Sequence, residues 1–147
     1  MYGFAAALAL WFTLIPTPVQ AQPTLRVEPV EVVPGVWMVQ GASALGSRAN
    51  RNFISNAAFV VTPAGVLVVD GLGSPVLAQE LVAAIARITP KPITQVVVTH
   101  YHADHIYGLQ VFKALGATIT AHDAGRAYLH SDTAALRLQA SREELAP

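Results

Sequence analysis

Apolar and polar side chains alternate over residues 25–33, "LRVEPVEVV", with the two-residue period of a strand that buries one face. Pro34-Gly35 marks a turn and "VWMVQ" resumes the pattern, so residues 25–40 predict paired strands. Residues 41–52 mix Gly, Ser, Ala, Arg and Asn and read as a loop long enough to carry function. Two further strands are predicted over residues 53–61 and 66–69, joined by Thr62-Pro63-Ala64-Gly65 as a hairpin. The period then changes. Leu77, Leu81, Ile85 and Ile88 recur at helical spacing, Ser74 can cap that helix, Pro75 suits its first position, and Pro90 and Pro92 stop it. "ITQVVVT" is a short apolar strand of the buried type. Residues 109–115 predict a helix ended by Gly116, residues 117–121 another strand, and the composition from Asp123 onward is helical. The strand-helix-strand-helix-strand order after Val66 predicts an α/β layered domain.

A length of 147 residues suits one domain. Composition narrows the chemistry. Nine basic residues balance nine acidic ones with no basic stripe, which argues against a nucleic-acid partner. The absence of cysteine excludes a disulfide framework, a thiolate zinc site and a cysteine nucleophile. Residues 4–15, "FAAALALWFTLI", carry no charge and are followed by Pro16, Pro18 and "VQAQ". Val19 and Ala21 fit the small-residue rule before a cleavage site, so residues 1–21 are expected to be a signal peptide cut after Ala21. That places a mature domain, residues 22–147, in the periplasm or secreted. The run falls short of the about 20 residues of a membrane span, so no stable span is expected after cleavage. A buried core helix is the competing reading, supported by the lack of Lys or Arg ahead of the run.

Against this apolar background, "THYHADH" crowds His100, His102, Asp104 and His105 into six positions where a buried strand ends. His100 and His102 point the same way if the segment is extended, and Asp104 and His105 fall where a helix begins. Imidazole and carboxylate are zinc ligands, with iron or manganese as competitors. Two adjacent metals fit the spacing: two histidines for one, aspartate plus histidine for the other. Bound zinc would bring the pKa of water to about 7, and an aspartate beside that water can orient it or take its proton. A lone histidine at a strand end is usually structural; three with an aspartate in this arrangement are not explained by packing or solubility.

The segment "HYHADH" matches the H-x-H-x-D-H motif of the metallo-β-lactamase superfamily. The resemblance runs through the paired N-terminal strands, "GVLVVDGLG", a helix and "QVVVTHYHADH". More narrowly the chain resembles the exported, quinoprotein-associated and SoxH-like metallohydrolases. The resemblance implies the N-terminal portion of an αββα sandwich (α/β, or α+β in some schemes) and a hydrolase that takes a small-molecule substrate. Metal-bound hydroxide would attack an ester, lactone, thioester, amide or sulfate-type bond. It also implies two Zn2+ per intact site: His100 and His102 would bind the first, and Asp104 and His105 the second, with Asp104 orienting the hydroxide as the catalytic residue. Asp70, ending "VLVVD", would support the site from behind the ligands by fixing a histidine tautomer. Many relatives have Gly two residues after the last motif histidine; here Ile106-Tyr107 precede Gly108.

The family's remaining ligands come from the C-terminal half of the sandwich, so the sequence reads as a metallo-β-lactamase-like domain truncated at its C-terminus. His122 and His130 are weak substitutes for the missing ligands. A catalytically incomplete half-domain with weak or no metal binding is therefore the alternative, and redox use of the same cradle with iron is a third reading. A sheet face without its partner layer is expected to self-associate or aggregate. Other features have plainer readings. "VVDGLGSP" fails the dinucleotide pattern because the third glycine position is Val76. Asn50, Asn52 and Asn56 fit turn chemistry, Arg48 and Arg51 a solvated loop ahead of an anion site, and Trp37 packing.

Overall fold

The computed structural model describes residues 25–145, and the expected signal peptide lies outside them. Six strands form one mixed sheet in chain order: β1 Val30–Val33, β2 Val36–Val39, β3 Ala57–Thr62, β4 Gly65–Val69, β5 Ile93–Val97 and β6 Thr118–Thr120. The first four pair antiparallel, because turns of a few residues and one loop connect them. β5 and β6 add in parallel, because helices α1 Pro75–Ile88, α2 Ala103–Ile106 and α3 Leu109–Ala114 carry the crossovers. Two helices close the described chain, α4 Gly125–Leu129 and α5 Asp132–Leu145.

Register explains which side is covered. The row Glu31, Trp37, Phe59, Val68, Val96, Ile119 runs across all six strands. Its central members Phe59, Val68 and Val96 are wholly buried, in one cluster with Leu77, Leu81 and Ile85 of α1 and Phe112 of α3. The helical spacing read from the sequence is therefore the docking face, with Ile88 packed at its edge. Trp37 lies parallel to Phe59 with ring centroids 6.0 Å apart, which is the packing role expected of it. Neighbouring rows face the other way: Val30, Met38, Ala58, Val69, Val97 and Val33, Val36, Val60, Leu67. These side chains are half-buried or exposed, Val30 at 64% and Val33 at 53%, so an apolar sheet face is left open.

Local chemistry sets the boundaries. Ser74 Oγ accepts from Leu77 N at 3.2 Å and Pro75 opens α1, as the sequence predicts. Gly116 adopts φ +84 after α3, a conformation that costs glycine little. β3 begins later than predicted, at Ala57. Phe53 is fully buried, but it belongs to the preceding loop, where its carbonyl accepts from Ala42 N and its amide donates to Asn50 O. Burial there comes from loop packing, which the alternation pattern does not distinguish from a strand.

Candidate active site

The site is built where β4 and β5 end side by side. Asp70 continues the ladder, its amide donating to Val97 O at 2.9 Å. The chain then turns sharply, with Asp70 and Leu72 in the left-handed region at φ 66 and 63. Such backbone costs of the order of 1–3 kcal/mol per residue and persists only where the surroundings hold it. Gly71 N donates to His105 O at 2.7 Å and Gly108 N to Leu72 O at 3.0 Å, which ties the turn to α2. Gly108 sits against Gly71 O, Ala78 and Ser74 O, in space that a Cβ would fill. Ser55 Oγ donates to the Asp104 carbonyl, bringing the preceding loop to the same helix.

Asp70 organises the cluster. It is only 4% exposed, its Oδ1 accepts from Thr99 N at 2.8 Å, and its Oδ2 accepts from Thr99 Oγ1 at 2.7 Å. His105 Nδ1 stands 2.8 Å from the same Oδ2. A carboxylate only accepts, so His105 carries a proton on Nδ1, and in the neutral imidazole Nε2 is then the nitrogen with the lone pair. Thr99 passes the same order to His100. Its single hydroxyl proton goes to Asp70, so His100 Nδ1, 3.0 Å from Oγ1, is the donor and His100 Nε2 is likewise left free.

The other groups gather around this core. His105 Nε2 lies 3.4 Å from Asp104 Oδ2. The ring of His100 is 4.1 Å from that of His105 and 4.6 Å from that of His102, centroid to centroid. His102 is the N-cap residue of α2, where the extended strand end gives way to helix. His100 titrates below the ordinary imidazole value. Partial burial is the largest cause, followed by repulsion from His105 and His102, while Asp70 and Asp104 pull the other way.

The donor set suits zinc, and with Nδ1 engaged the neutral imidazoles of His100 and His105 offer Nε2, the form a cation needs. Among the described residues, however, no three of the His, Asp or Glu groups stand arranged to hold a metal ion. His122 and His130 fall elsewhere: His122 Nδ1 accepts from Ala124 N in the turn after β6, and His130 ends α4. The loop residues are structural. Asn50 Oδ1 accepts from Ser47 N and Asn52 N, and Asn56 Oδ1 from Gly41 N. Arg48 donates to the carbonyls of Glu143 and Glu144, and Arg51 pairs with Glu80 at 2.8 Å.

Several neighbours escaped the sequence reading. Tyr101, inside the motif, packs against Tyr128 of α4 at 4.4 Å between centroids. A hollow of 220 Å3 is lined by Tyr101, His102, Tyr128 and Arg137 of α5 among others. A larger cleft of 1140 Å3 lies beyond, walled by α2, α4 and α5; none of the cluster imidazoles lines it, so its size alone does not mark it as the reaction site. Thr99 was legible only as the last residue of a strand. Its relay between Asp70 and His100 depends on contacts that span about thirty positions of sequence.

Comparison with known proteins agrees with this geometry. Residues 50–144 match the family model of the metallo-beta-lactamase superfamily. The chain is 35% identical over 87 residues to a metallo-beta-lactamase type 2 of Bacillus cereus, covering 59% of this chain and 32% of that protein. It is 36% identical over 53 residues to a linear primary-alkylsulfatase of a Pseudomonas species, covering 36% and 10%. Among solved structures it resembles a metallo-beta-lactamase from Hirschia baltica, with TM-score 0.58, 24% identity, and 82% and 49% of the two chains covered. A subclass B3 metallo-beta-lactamase from a soil metagenome library gives TM-score 0.56 and 26% identity over 74% and 38%. The chain thus spans about a third of the length of the first curated relative and under half of these structures. The matched region takes in well over half the chain and the whole cluster from Thr99 to His105, and the protein belongs to the metallo-beta-lactamase superfamily.

Proposed function

We propose that the protein is a metal-dependent hydrolase and that this chain supplies the strand-end half of its site. The observation that carries the reading is the Asp70–Thr99–His100 and Asp70–His105 network, which engages Nδ1 of both imidazoles and sets His105 Nε2 3.4 Å from Asp104 Oδ2. His100 and His102 would hold a first zinc, Asp104 and His105 a second; iron or manganese would suit the same donors. Zinc, when bound, supplies Lewis acidity and a more acidic water. Asp104 would orient the attacking water and accept its proton, and Asp70 would keep His105 in the metal-binding tautomer. The bond attacked belongs to the ester, lactone, thioester, amide or sulfate class. The two curated relatives, a β-lactamase and an alkylsulfatase, are named for different members of that range. The uncharged run of residues 4–15 supports export to the periplasm or beyond, and with it placement among the exported quinoprotein-associated and SoxH-like groups.

A second reading has its own observation. No group of three His, Asp or Glu side chains is arranged for a metal among the described residues, which favours a half-domain with weak metal affinity until another layer completes it. Zinc titration of the full chain against a competing chromophoric chelator separates the two. Near two zinc per chain, with turnover of nitrophenyl esters or nitrocefin, supports the hydrolase. Saturation below one zinc with no turnover of either probe would refute activity in this chain and support the half-domain.

A further inference from the structure

We infer that the small hollow beside His102 and the large cleft beyond it form one binding channel for an amphiphilic anion, with the charged head beside His102 and the apolar chain in the cleft. Tyr128 and Ser131 line both spaces, so the two meet at that wall. The small one is polar: Tyr101, His102, Ser131, Thr133 and Arg137 contribute to it, and among the described residues no carboxylate does. Arg137 makes no ion pair among the described residues, unlike Arg51, which pairs with Glu80, and Arg126, which pairs with Asp123. A cation with no ion pair among the described residues, in a hollow that hydroxyls and an imidazole also line, complements a sulfonate, sulfate, phosphate or carboxylate head.

The large cleft is different in kind. Val76, Ile106, Leu129, Ala135 and Leu138 give it apolar walls. Two of its cations are engaged elsewhere, Arg51 by Glu80 and Arg48 by the α5 carbonyls. At 1140 Å3 it has room for a long chain, where the 220 Å3 hollow accepts only a compact head. Ile106 follows His105 directly, so a ligand lying through both spaces passes the helix that bears Asp104 and His105. The inference rests on the proposed function only for the claim that the head lies where reaction would occur. Binding itself needs no metal and no turnover.

The test is calorimetric titration of the zinc-free full chain with hexane-, octane- and decanesulfonate below their micelle concentrations; a sulfonate has no ester oxygen to cleave. Each added methylene is expected to tighten binding about threefold to fourfold. Arg137→Gln should weaken every sulfonate about tenfold and leave octanol unaffected. Arg142→Ala, which removes a cation of the large cleft, should change sulfonate affinity less than twofold. Ala134→Trp, which fills the cleft from an exposed helix, should abolish the chain-length dependence, with folding checked by circular dichroism. Affinity independent of chain length, equal losses in the Arg137 and Arg142 variants, or chain-length dependence that survives Ala134→Trp would each overturn the inference. The last outcome would move the chain to another surface, such as the open sheet face. Absence of hydrolysis by zinc-loaded protein, with sulfonate binding intact, would count against the proposed function and leave this inference standing.

Discussion

Replacing Asp70 by Asn isolates the charge that orders the site. Asn has the size of Asp and tolerates the left-handed backbone at φ 66, so the substitution adds no strain of its own. Its amide oxygen can keep the bond from Thr99 N, which leaves an NH2 group where Oδ2 accepted from Thr99 Oγ1 and His105 Nδ1. Hydrogen bonds to a charged group are worth about 1.5–3 kcal/mol each, and water has little access to a residue that is 4% exposed. Thr99 can rotate its hydroxyl and His105 can change tautomer, which recovers part of the loss. A net destabilisation of about 2–3 kcal/mol follows, read as a fall of about 1–2 M in the urea midpoint at unchanged slope. The more specific readout is the tautomer. Long-range proton–nitrogen NMR on the zinc-free protein should show His105 protonated at Nδ1 in the parent and at Nε2 in Asp70→Asn. Zinc affinity should drop about 10- to 100-fold, because Nε2 no longer offers its lone pair. An unchanged midpoint together with an unchanged His105 tautomer would refute the assignment of Asp70 as the organiser of the cluster.

Gly108→Ala places a Cβ against Gly71 O and the Ala78 methyl and should destabilise the fold by about 1–3 kcal/mol in chemical denaturation, because neither a backbone carbonyl nor an alanine Cβ can swing aside. Tyr107→Phe should stabilise by about 1 kcal/mol, since the Tyr107 hydroxyl is buried without a hydrogen-bond partner among the described residues; loss of stability would show that the hydroxyl is satisfied. His100 titrates below its unfolded value, so the unfolded chain binds more protons in that window and His100 contributes stability above about pH 6.5 that is lost as pH falls through the lower folded value. Urea midpoints should therefore decline below pH 6.5, and His100→Gln should flatten that part of the profile. The open rows with Val30, Val33, Val60 and Leu67 should make the chain associate with rising concentration, and Leu67→Lys with Val60→Lys should shift light scattering toward monomer; a monomeric parent would refute this.

Much of this protein is written in local pattern. The helical spacing of Leu77, Leu81 and Ile85, the Ser74-Pro75 start and the alternation in β3 and β4 are near-neighbour signals, and they hold because each depends on one element burying one face; the alternation read over residues 25–33 does not hold, since the strand there is only Val30–Val33 and all four of its residues are exposed. The cluster from His100 to His105 is equally local, since six consecutive residues at a strand end share a small volume whatever the rest of the chain does. The burial of Phe53 in a loop lay outside such signals, because a buried side chain reports its surroundings and not its backbone.

Tertiary structure decided the rest. Asp70 and His105 are 35 positions apart, and the bond between them exists because β4 and β5 run parallel and end together. That pairing fixes which nitrogen of His105 bears the proton, a choice with no local determinant. Arg137 and Tyr128 reach the edge of His102 only through the way α4 and α5 return past the strand ends. The sequence by itself determined which side chains bear the chemistry and which faces are apolar, because those follow from residue type and period. Protonation states, neighbours and the shape of the space around them came only from contacts between distant segments, whose free energies depend on positions that no window of sequence contains.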